Sequence, residues 1–238
     1  MNQLRTLIDT YSPSQATTTL VQEAQIVLLV GISGAGKDTI KKRLLAQGGF
    51  YDIVSHTTRA PRVNNGQPEV DGVDYHFVTD SQVTDMLHQQ AFIEAKYVHG
   101  TVYGTSVAEL TKAQQLGKVA ITDIDVQGVA EYKEIAPHTV AIFLLPPDFV
   151  TWQQRLKQRY ASEEDFLAEW PKRRASAITE LERALMVPYY HFVVNDDLEL
   201  ATHVVGKIAT KPDLFTRKDD EARLAARDIL VEIQRHRG

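Results

Sequence analysis

Hydrophobic and polar positions divide the chain into alternating strand and helix segments. Residues 26–30 form a continuous apolar run that is rich in β-branched side chains and ends at a glycine, which is typical of a strand buried on both faces. Similar runs occur at residues 119–124, 140–145 and 191–194, and residues 149–159 show apolar positions at helical spacing. Strands that alternate with helices predict an α/β protein whose parallel sheet core is flanked by helices.

An amphipathic helix is predicted at each end of the chain. Near the start, a Ser-Pro-Ser break at residues 12–14 follows apolar residues at helical spacing, namely Leu4, Leu7, Ile8 and Tyr11. Near the end, the same spacing is shown by Ala222, Ala226, Ile229 and Ile233. We expect this last helix to pack back on the core.

Two internal segments have other patterns. Residues 55–105 begin with arginine, proline and glycine and continue with short alternating runs such as residues 75–78, which predicts an antiparallel insert in the parallel fold. Residues 160–165 are polar and acidic and have no apolar period, so we expect a mobile loop there, with Arg173 and Arg174 opening the helix beyond it.

Composition and charge exclude several classes of function. Lysine and arginine number 26 against 31 acidic residues, and this net charge of −5 argues against general nucleic-acid binding. The sequence contains no cysteine, which excludes disulfides, thiolate metal sites and cysteine nucleophiles and fits an intracellular compartment. The sequence also shows no apolar run of membrane-spanning length and no signal-peptide pattern at its start. We therefore expect a cytoplasmic protein without a membrane or nucleic-acid partner.

A phosphate-binding loop is predicted between the first buried strand and the following helix. Residues 31–37 read G-x-x-x-x-G-K, a pattern whose backbone N–H groups can turn toward an anion while the lysine adds a charge for the outer phosphates. The candidate ATP-binding residues here are Gly31, Ser33, Gly34, Ala35, Gly36, Lys37, Asp38 and Thr39.

One position departs from the usual pattern of such loops. Asp38 stands where a Ser or Thr normally ligates magnesium, although Thr39 can still bond an inner phosphate. The Asp38 carboxylate can hold Mg²⁺ directly or through water, or it can face away as an acid that suits the first turn of a helix. The sequence leaves both alternatives open.

The motifs of the insert carry a more specific signal. They are Ser-His-Thr-Thr-Arg-Ala-Pro-Arg at residues 55–62, Glu-Val-Asp-Gly-Val-Asp-Tyr at residues 69–75, Phe-Ile-Glu at residues 92–94 and Tyr-Gly-Thr at residues 103–105. A further motif, Asp-Ile-Asp-Val-Gln-Gly, follows the insert at residues 123–128. In this order and spacing, from about residue 25 to about residue 201, the sequence resembles the guanylate kinases, a P-loop family that moves the γ-phosphoryl group of ATP to GMP.

The resemblance implies a set of GMP-binding residues. Ser55, Arg59, Arg62, Tyr75 and Tyr103 would hold the GMP phosphate. The guanine would be read by Glu94 and Thr105, with Asp125 close to the ring. This role suits the chemistry, because one carboxylate can accept the ring N–H and the amine of guanine together while a hydroxyl donates to the neighbouring carbonyl oxygen.

The resemblance also implies a lid over the donor. Arg155, Arg159 and Arg173 would move over the ATP phosphates and, with Lys37 and Arg59, form the catalytic set; Asn195 would lie near the adenine end, and Mg²⁺ would accompany ATP. Arg174 has no counterpart and is expected to lie on the surface. The expected boundaries are an N-terminal helical extension at 1–24, core with the phosphate loop at 25–54, the GMP-binding insert at 55–105, core at 106–150, the lid at 151–186, core at 187–210 and a C-terminal helical extension at 211–238.

Two alternatives to an ATP:GMP phosphotransferase follow from the same residues. Ribose 1,5-bisphosphate phosphokinases are relatives in which an aspartate can follow the loop lysine, as Asp38 does, but that substrate would leave Glu94 and Thr105 with no base to recognise. Guanylate-kinase-like domains that only bind proteins are the other alternative. Such domains typically have a degraded phosphate loop, whereas Lys37 and Thr39 are both present here.

Overall fold

A computed structural model describes residues 3–64, 66–98, 100–212 and 220–236. Backbone contacts divide the chain into two compact units. The first unit comprises Met1–Gln25 and Tyr51–Thr122, and the second comprises Ile26–Phe50 and Asp123–Gly238. In the part of the chain that is described, no helix is both long enough and apolar enough to cross a membrane.

Helices and strands alternate through most of the chain, as the hydrophobic pattern predicts. The helices are α1 Gln3–Asp9, α2 Gln15–Glu23, α3 Lys37–Ala46, α4 Asp80–His88, α5 Val107–Gln115, α6 Val126–Ile135, α7 Phe149–Lys157, α8 Glu163–Met186, α9 Leu198–Thr210 and α10 Asp220–Arg235. The strands are β1 Ile26–Gly31, β2 Phe50–Asp52, β3 His56–Thr57, β4 Val63–Asn64, β5 Gln67–Pro68, β6 His76–Phe77, β7 Phe92–Val98, β8 Thr101–Ser106, β9 Val119–Asp123, β10 Val140–Leu145 and β11 Tyr190–Val194.

The second unit is built on parallel strands. Here β11, β10 and β1 are neighbours in that order, with Leu29 opposite Ile142 and Phe143 opposite Phe192. Every residue of β1 is buried. This is typical of a strand in a parallel sheet, because helices cover the sheet and leave no face for polar residues. The carboxyl end of β1 leads directly into the predicted phosphate loop, and this confirms the parallel α/β core.

The first unit contains a smaller mixed sheet with the strand order β6-β3-β8-β7. The β3–β8 and β7–β8 pairs are antiparallel, as predicted for the insert, whereas β3 and β6 pair in parallel. Strand β7 is at the end of this order, so one side of its backbone has no strand partner in the sheet. The pairing of β7 with β8 also shifts between Phe92 and Glu94, which marks a β-bulge.

Two N-terminal helices pack on this small sheet. Helix α1 contacts α4 and β7, and its buried Leu4 and Ile8 join a cluster that includes Phe92. The predicted N-terminal helix is thus confirmed, and it ends at Asp9, before the Ser-Pro-Ser break. The same break starts a second helix that the sequence pattern did not predict, because the Ser14 side chain accepts a hydrogen bond from the Thr17 N–H as an N-cap.

The prediction of a loop at residues 160–165 is wrong for residues 163–165, which are helical. Helix α8 begins at Glu163, with Ser162 as its N-cap, and runs without a break past Arg173 and Arg174. The acidic residues that suggested a solvated loop occupy the first turn, where negative charge stabilises the helix dipole. The buried face of this turn starts at Phe166 and continues at Trp170.

The C-terminal helix packs on the second unit, as expected. Helix α10 contacts α7, α8 and β11, and its apolar stripe of Ala226, Ile229 and Ile233 is buried. Arg174 contributes to this contact instead of lying free on the surface. Its Nε donates to the Ile233 carbonyl at 2.8 Å and its guanidinium also donates to the Gln234 carbonyl at 2.9 Å.

Candidate active site

The phosphate loop has the left-handed backbone that its glycines predict. Gly34 and Gly36 adopt φ values of 88° and 96°, which a residue with a side chain rarely does. Gly36 is also the N-cap of α3, so the loop opens on a helix N-terminus whose free N–H groups favour an anion.

Three side chains hold this loop in shape. The Trp152 indole donates to the Ser33 carbonyl at 2.7 Å, and the Asn195 amide donates to the Ala35 carbonyl at 2.8 Å. The Lys37 ammonium donates to the Gly31 carbonyl. Asn195 is buried, and a Cβ on Gly36 would collide with its amide nitrogen, so a side chain at position 36 would break this contact.

A cleft of about 470 Å³ surrounds the loop within the second unit. It includes most of the predicted ATP-binding residues together with Arg155 and Arg159; its lining residues are Gly31, Ser33, Gly34, Gly36, Lys37, Asp38, Thr39, Asp123, Arg155, Arg159, Glu180, Asn195 and Leu198. Ala35, also in the loop, is buried. A volume of this size is within the range of small-molecule sites.

The three arginines predicted for the lid are bonded to other groups of the protein. Arg159 donates to the Ser33 hydroxyl at 2.9 Å and lies 3.4 Å from the Asp38 carboxylate. Arg155 donates to the backbone carbonyl of Asn195 at 3.0 Å. Arg173 is not among the residues that line the cleft; its Nε donates to the Tyr160 hydroxyl at 2.9 Å. Two of the three predicted arginines are therefore brought to the loop and one is not.

Two acidic residues of the cleft were missing from the predicted site. Asp123 is the last residue of β9, and desolvation by the surrounding protein raises its pKa against the opposing influence of Lys37 and Lys41. Glu180 lies on α8, where burial likewise raises its pKa although Ser176 donates a 2.7 Å hydrogen bond to it. Asp123 was visible as an acid at the end of an apolar strand, whereas the α8 pattern alone gave no signal for Glu180.

The arginine side of the insert is preorganised. The Arg59 guanidinium forms a two-pronged ion pair with Glu69 at 2.9 and 3.0 Å, and both side chains are about nine-tenths buried. Hydrogen bonding to Glu69 raises the pKa of Arg59, and the same contact lowers the pKa of Glu69. Glu69 also accepts from the Arg62 backbone N–H at 2.7 Å, while the Arg62 side chain is exposed.

Two predicted tyrosines complete this cluster. The Arg59 guanidinium lies 5.2 Å from the centre of the Tyr75 ring, and the Tyr75 and Tyr103 rings meet edge to face at 6.0 Å. Ser55 follows Val54 and lies just before β3. Cation–π contact and the fork on Glu69 fix the guanidinium plane, which favours recognition of a phosphate with defined geometry.

Glu94 and Thr105 form the other half of the insert site. They lie directly opposite each other on β7 and β8, and the Thr105 hydroxyl donates to the Glu94 carboxylate at 2.8 Å. Thr105 is buried and Glu94 half-buried. Asp125 belongs to the second unit instead, where it is the N-cap of α6 and accepts from the Gly128 N–H at 2.7 Å.

A buried polar cluster behind Ser55 was not predicted. The Glu109 carboxylate accepts hydrogen bonds from the Val54 N–H at 3.1 Å and the Tyr51 hydroxyl at 3.2 Å, and it lies 3.2 Å from the His76 ring. The His76 ring lies 4.6 Å from the ring of His56, the residue after Ser55, and the two rings are tilted by 36°. Glu109 lies on α5, and the amphipathic pattern of this helix gave no reason to expect a buried acid.

The chain is similar to a known family of proteins over most of its length. The family model described as guanylate kinase matches residues 23–211. The chain belongs to the guanylate kinase family. A guanylate kinase of Neisseria gonorrhoeae is 38% identical over 195 residues, which cover 80% of this chain and 91% of the relative. One from Schizosaccharomyces pombe is 34% identical over 192 residues and covers 80% of this chain and 92% of the relative.

Other matches agree with this family membership. Guanylate kinase 1 of rice is 36% identical over 190 residues, which are 79% of this chain but only 48% of the rice protein. The crystal structure of a guanylate kinase from Anaplasma phagocytophilum superimposes with a TM-score of 0.56 at 25% identity, covering 82% of this chain and 89% of the other. The chain is therefore a nucleoside monophosphate kinase, which is a phosphotransferase. Kinases that use ATP generally need a divalent metal.

Proposed function

We propose that this protein transfers the γ-phosphoryl group of ATP to GMP, giving ADP and GDP. The observation that carries the proposal is the Glu94–Thr105 pair, a carboxylate and a buried hydroxyl facing each other at 2.8 Å in the small sheet. Tyr103 lies in the same sheet, and Arg59 and Tyr75 lie in the segments that flank its strands β3 and β6. A phosphate-binding cluster beside a carboxylate–hydroxyl pair suits a nucleotide that carries both a phosphate and a guanine.

Guanine fits this pair because of its hydrogen-bonding pattern. The Glu94 carboxylate can accept the ring N–H and the exocyclic amine together, and the Thr105 hydroxyl can turn from Glu94 to donate to the guanine carbonyl oxygen. Adenine has a ring acceptor where guanine has its ring N–H, and it lacks the second donor next to it, so the Glu94 carboxylate would be left without both hydrogen bonds. Buried polar groups without partners provide strong discrimination.

The GMP phosphate would bind the arginine side of the insert. The Arg59 guanidinium, already oriented by Glu69, is joined by Arg62, Ser55 and the hydroxyls of Tyr75 and Tyr103. Glu69 becomes a positioning residue in this proposal, because it fixes the guanidinium fork while the flexible Arg62 can close on the phosphate. A role for Asp125 near the guanine stays a prediction in addition to its helix cap.

The ATP phosphates would bind the loop of the second unit. Backbone N–H groups at the start of α3 would face the inner phosphates, with the Thr39 hydroxyl beside them. Lys37, Arg155 and Arg159 line the same cleft and would spread the charge that develops on the transferred group. Arg173 can join them after leaving Tyr160, and contact of Asn195 with the adenine end stays a prediction.

The donor set fits Mg²⁺ as the divalent metal. The described residues contain no cluster of three or more potential ligands, but Mg²⁺ bound with ATP needs only one or two carboxylates besides phosphate and water. Asp38 and Asp123 supply such oxygens in the cleft, and Asp38 would hold the ion. When bound, Mg²⁺ supplies charge neutralisation for the phosphates.

Transfer then needs positioning more than proton chemistry. A GMP phosphate oxygen is already anionic near neutral pH, so it can attack the γ-phosphorus without a general base, and the oxygen that bridges to ADP leaves with the bonding electrons. The residues of this chain would hold the attacking oxygen in line and exclude water. The absence of cysteine supports a reducing, cytoplasmic location for this reaction.

A direct test compares acceptors and removes the carboxylate. ADP release with MgATP is measured for GMP, AMP, CMP, UMP and ribose 1,5-bisphosphate, and Glu94→Gln is compared with Asp85→Asn, which alters an exposed acid on α4. We expect GMP to be used best, and Glu94→Gln to reduce its kcat/KM at least about 100-fold with the KM for ATP nearly unchanged.

Ribose 1,5-bisphosphate is included because Asp38 follows the loop lysine, and an aspartate can occupy this position in relatives that act on that substrate. Faster turnover of ribose 1,5-bisphosphate than of GMP would favour the second function. Nucleotide binding without turnover of any acceptor would favour a binding domain, and full GMP activity in Glu94→Gln would contradict the role of that carboxylate.

A further inference from the structure

Tyr11, two residues after helix α1, bonds to the backbone of β7, the strand that carries Glu94. The Tyr11 hydroxyl donates to the Phe92 carbonyl at 2.6 Å and accepts from the Phe92 N–H at 3.2 Å. Burial raises the pKa of Tyr11, so its hydroxyl keeps its hydrogen. One side chain thus satisfies both backbone groups of a residue on β7, the strand at the end of the sheet order. Tyr11 lies before residue 23, where the family match begins.

Phe92 is the first residue of the β-bulge in β7. It lies opposite Ser106, whereas Glu94 lies opposite Thr105, so β7 carries one residue more than β8 in this stretch. Directly opposite residues share a face of the sheet and successive residues alternate. Phe92 and Glu94 are therefore on different faces, although a regular strand would place residues two apart on the same one.

The bulge separates the core from the proposed site. Phe92 is fully buried, and it packs on Gly104, where a Cβ would come within 3.0 Å of the Phe92 ring and 2.8 Å of the Glu94 carbonyl oxygen. Gly104 stands between Tyr103 and Thr105 in β8. If β7 moved by one residue to remove the bulge, Phe92 would turn to the face of Glu94 and lose this contact.

We propose that Tyr11 is a positioning residue for guanine recognition: by holding both backbone groups of Phe92 it fixes the bulge that places Glu94 opposite Thr105. The inference rests on the proposed function, since it assigns a specificity role to the same pair. The Tyr11 hydroxyl bonds to the backbone of Phe92, two residues before Glu94, so it acts through Phe92. Its own ring packs against the cluster formed by Leu4, Ile8 and Phe92.

The test uses the full chain with Tyr11→Phe, which removes the hydroxyl and keeps the ring. The kcat/KM is measured for GMP and for IMP, which lacks the amine that Glu94 would accept, together with the KM for ATP. We expect the KM for GMP to rise about 5- to 10-fold and the preference for GMP over IMP to fall by a similar factor, with the KM for ATP changed less than about 2-fold.

Leu7→Ala is the matched control, because Leu7 packs against the same cluster without bonding to β7. Both variants are assayed below their melting midpoints, and we expect Leu7→Ala to melt lower while keeping the GMP preference. An unchanged preference in Tyr11→Phe, or an equal loss in both variants, would overturn the inference. A wild-type protein that does not prefer GMP over IMP would instead refute the proposed function, and this result is obtained before any variant is compared.

Discussion

Lys37 is held in place before any nucleotide binds. Its ammonium donates to the Gly31 carbonyl at the end of β1, and the phosphate loop around it is fixed by Trp152 and Asn195. The lysine therefore contributes a positioned charge and little to the packing of the core. Its removal should affect chemistry far more than folding.

We expect Lys37→Ala to lower kcat for phosphoryl transfer at least about 1000-fold, because a preorganised charge next to the transferred group contributes several kcal/mol to transition-state stabilisation. The melting midpoint should change by less than about 2 °C. Lys42→Ala removes the same charge from an exposed position on the same helix and should leave kcat intact. A Lys37→Ala enzyme within tenfold of wild type would contradict the role of this lysine.

Residue identity alone predicted several positions but not their partners. Asn195 and Arg155 were expected to act on ATP; in the structure the Asn195 amide donates to the phosphate loop, and Arg155 donates to the backbone carbonyl of Asn195. The Asn195–Ala35 hydrogen bond joins residues 160 positions apart, so no local pattern could indicate it. Asp125, in contrast, shows the helix cap that its position before an apolar helix allows.

At the scale of elements, α10 is held against α8 by Arg174. The Arg174 guanidinium donates to the carbonyls of Ile233 and Gln234, which lie in the last turn of α10. The His236 ring beyond this turn stacks on Phe149 at 4.4 Å, so the same end of α10 also contacts α7.

Arg174→Ala should reduce the free energy of unfolding by about 1–3 kcal/mol, because two carbonyls lose charge-assisted hydrogen bonds. For a chain of this size that corresponds to a fall of roughly 2–4 °C in the melting midpoint for each kcal/mol. Lys172→Ala, at an exposed position of the same helix, is the control and should melt like the wild type. The melting midpoints are measured by circular dichroism. Equal midpoints for the two variants would contradict the conclusion that Arg174 stabilises the contact between α8 and α10.

Element prediction succeeded where one force dominated. The buried run of β1 and the stripe of α10 follow from hydrophobic burial alone, and both are found as expected. The first turn of α8 was mistaken for a loop because Glu163, Glu164 and Asp165 stabilise a helix through its dipole and not through burial. The bulge at Phe92 depends on pairing with β8 and on Tyr11, which a reading of β7 by itself does not include.

At the scale of the whole molecule, stability should depend on pH through buried histidines. Burial, together with the neighbouring His76, lowers the pKa of His56 to about 4, although Glu109 and Asp71 oppose this shift. Burial also lowers the pKa of His191, with Lys133 acting in the same direction. Since both folded pKa values lie below the unfolded one, the unfolded state binds more protons in acid, and stability is lost as pH falls from about 6.5 toward 4.

We expect the melting midpoint to fall over this interval, and to fall less steeply in His56→Gln. One proton sets an upper limit of about 1.4 kcal/mol per pH unit, and solvent around the half-buried ring lowers it. His88→Gln, at an exposed position on α4, should show the wild-type pH dependence. Melting curves at pH 7, 6, 5 and 4.5 provide the comparison, and parallel curves for wild type and His56→Gln would contradict the assignment.

The general architecture was available from the sequence, while the details around it were not. Alternating strand and helix patterns predicted the α/β core, and the motifs of the insert predicted its family. The Tyr11–Phe92 and Arg174–Ile233 contacts each have one partner outside the family match, so neither the motif pattern nor the resemblance contained them. They follow from chain segments meeting in space.

The hydrogen bonds from Trp152 and Asn195 to the phosphate loop have a kinetic consequence. A loop that is ordered only by its ligand loses conformational entropy on binding and delays capture until it rearranges, whereas this loop already has its shape. Encounter with the triphosphate should then proceed at a rate set by diffusion and charge. In the proposed function, the slow step of the cycle would lie elsewhere, in the movement of Arg159 away from Asp38 and of Arg173 away from Tyr160 toward phosphate oxygens.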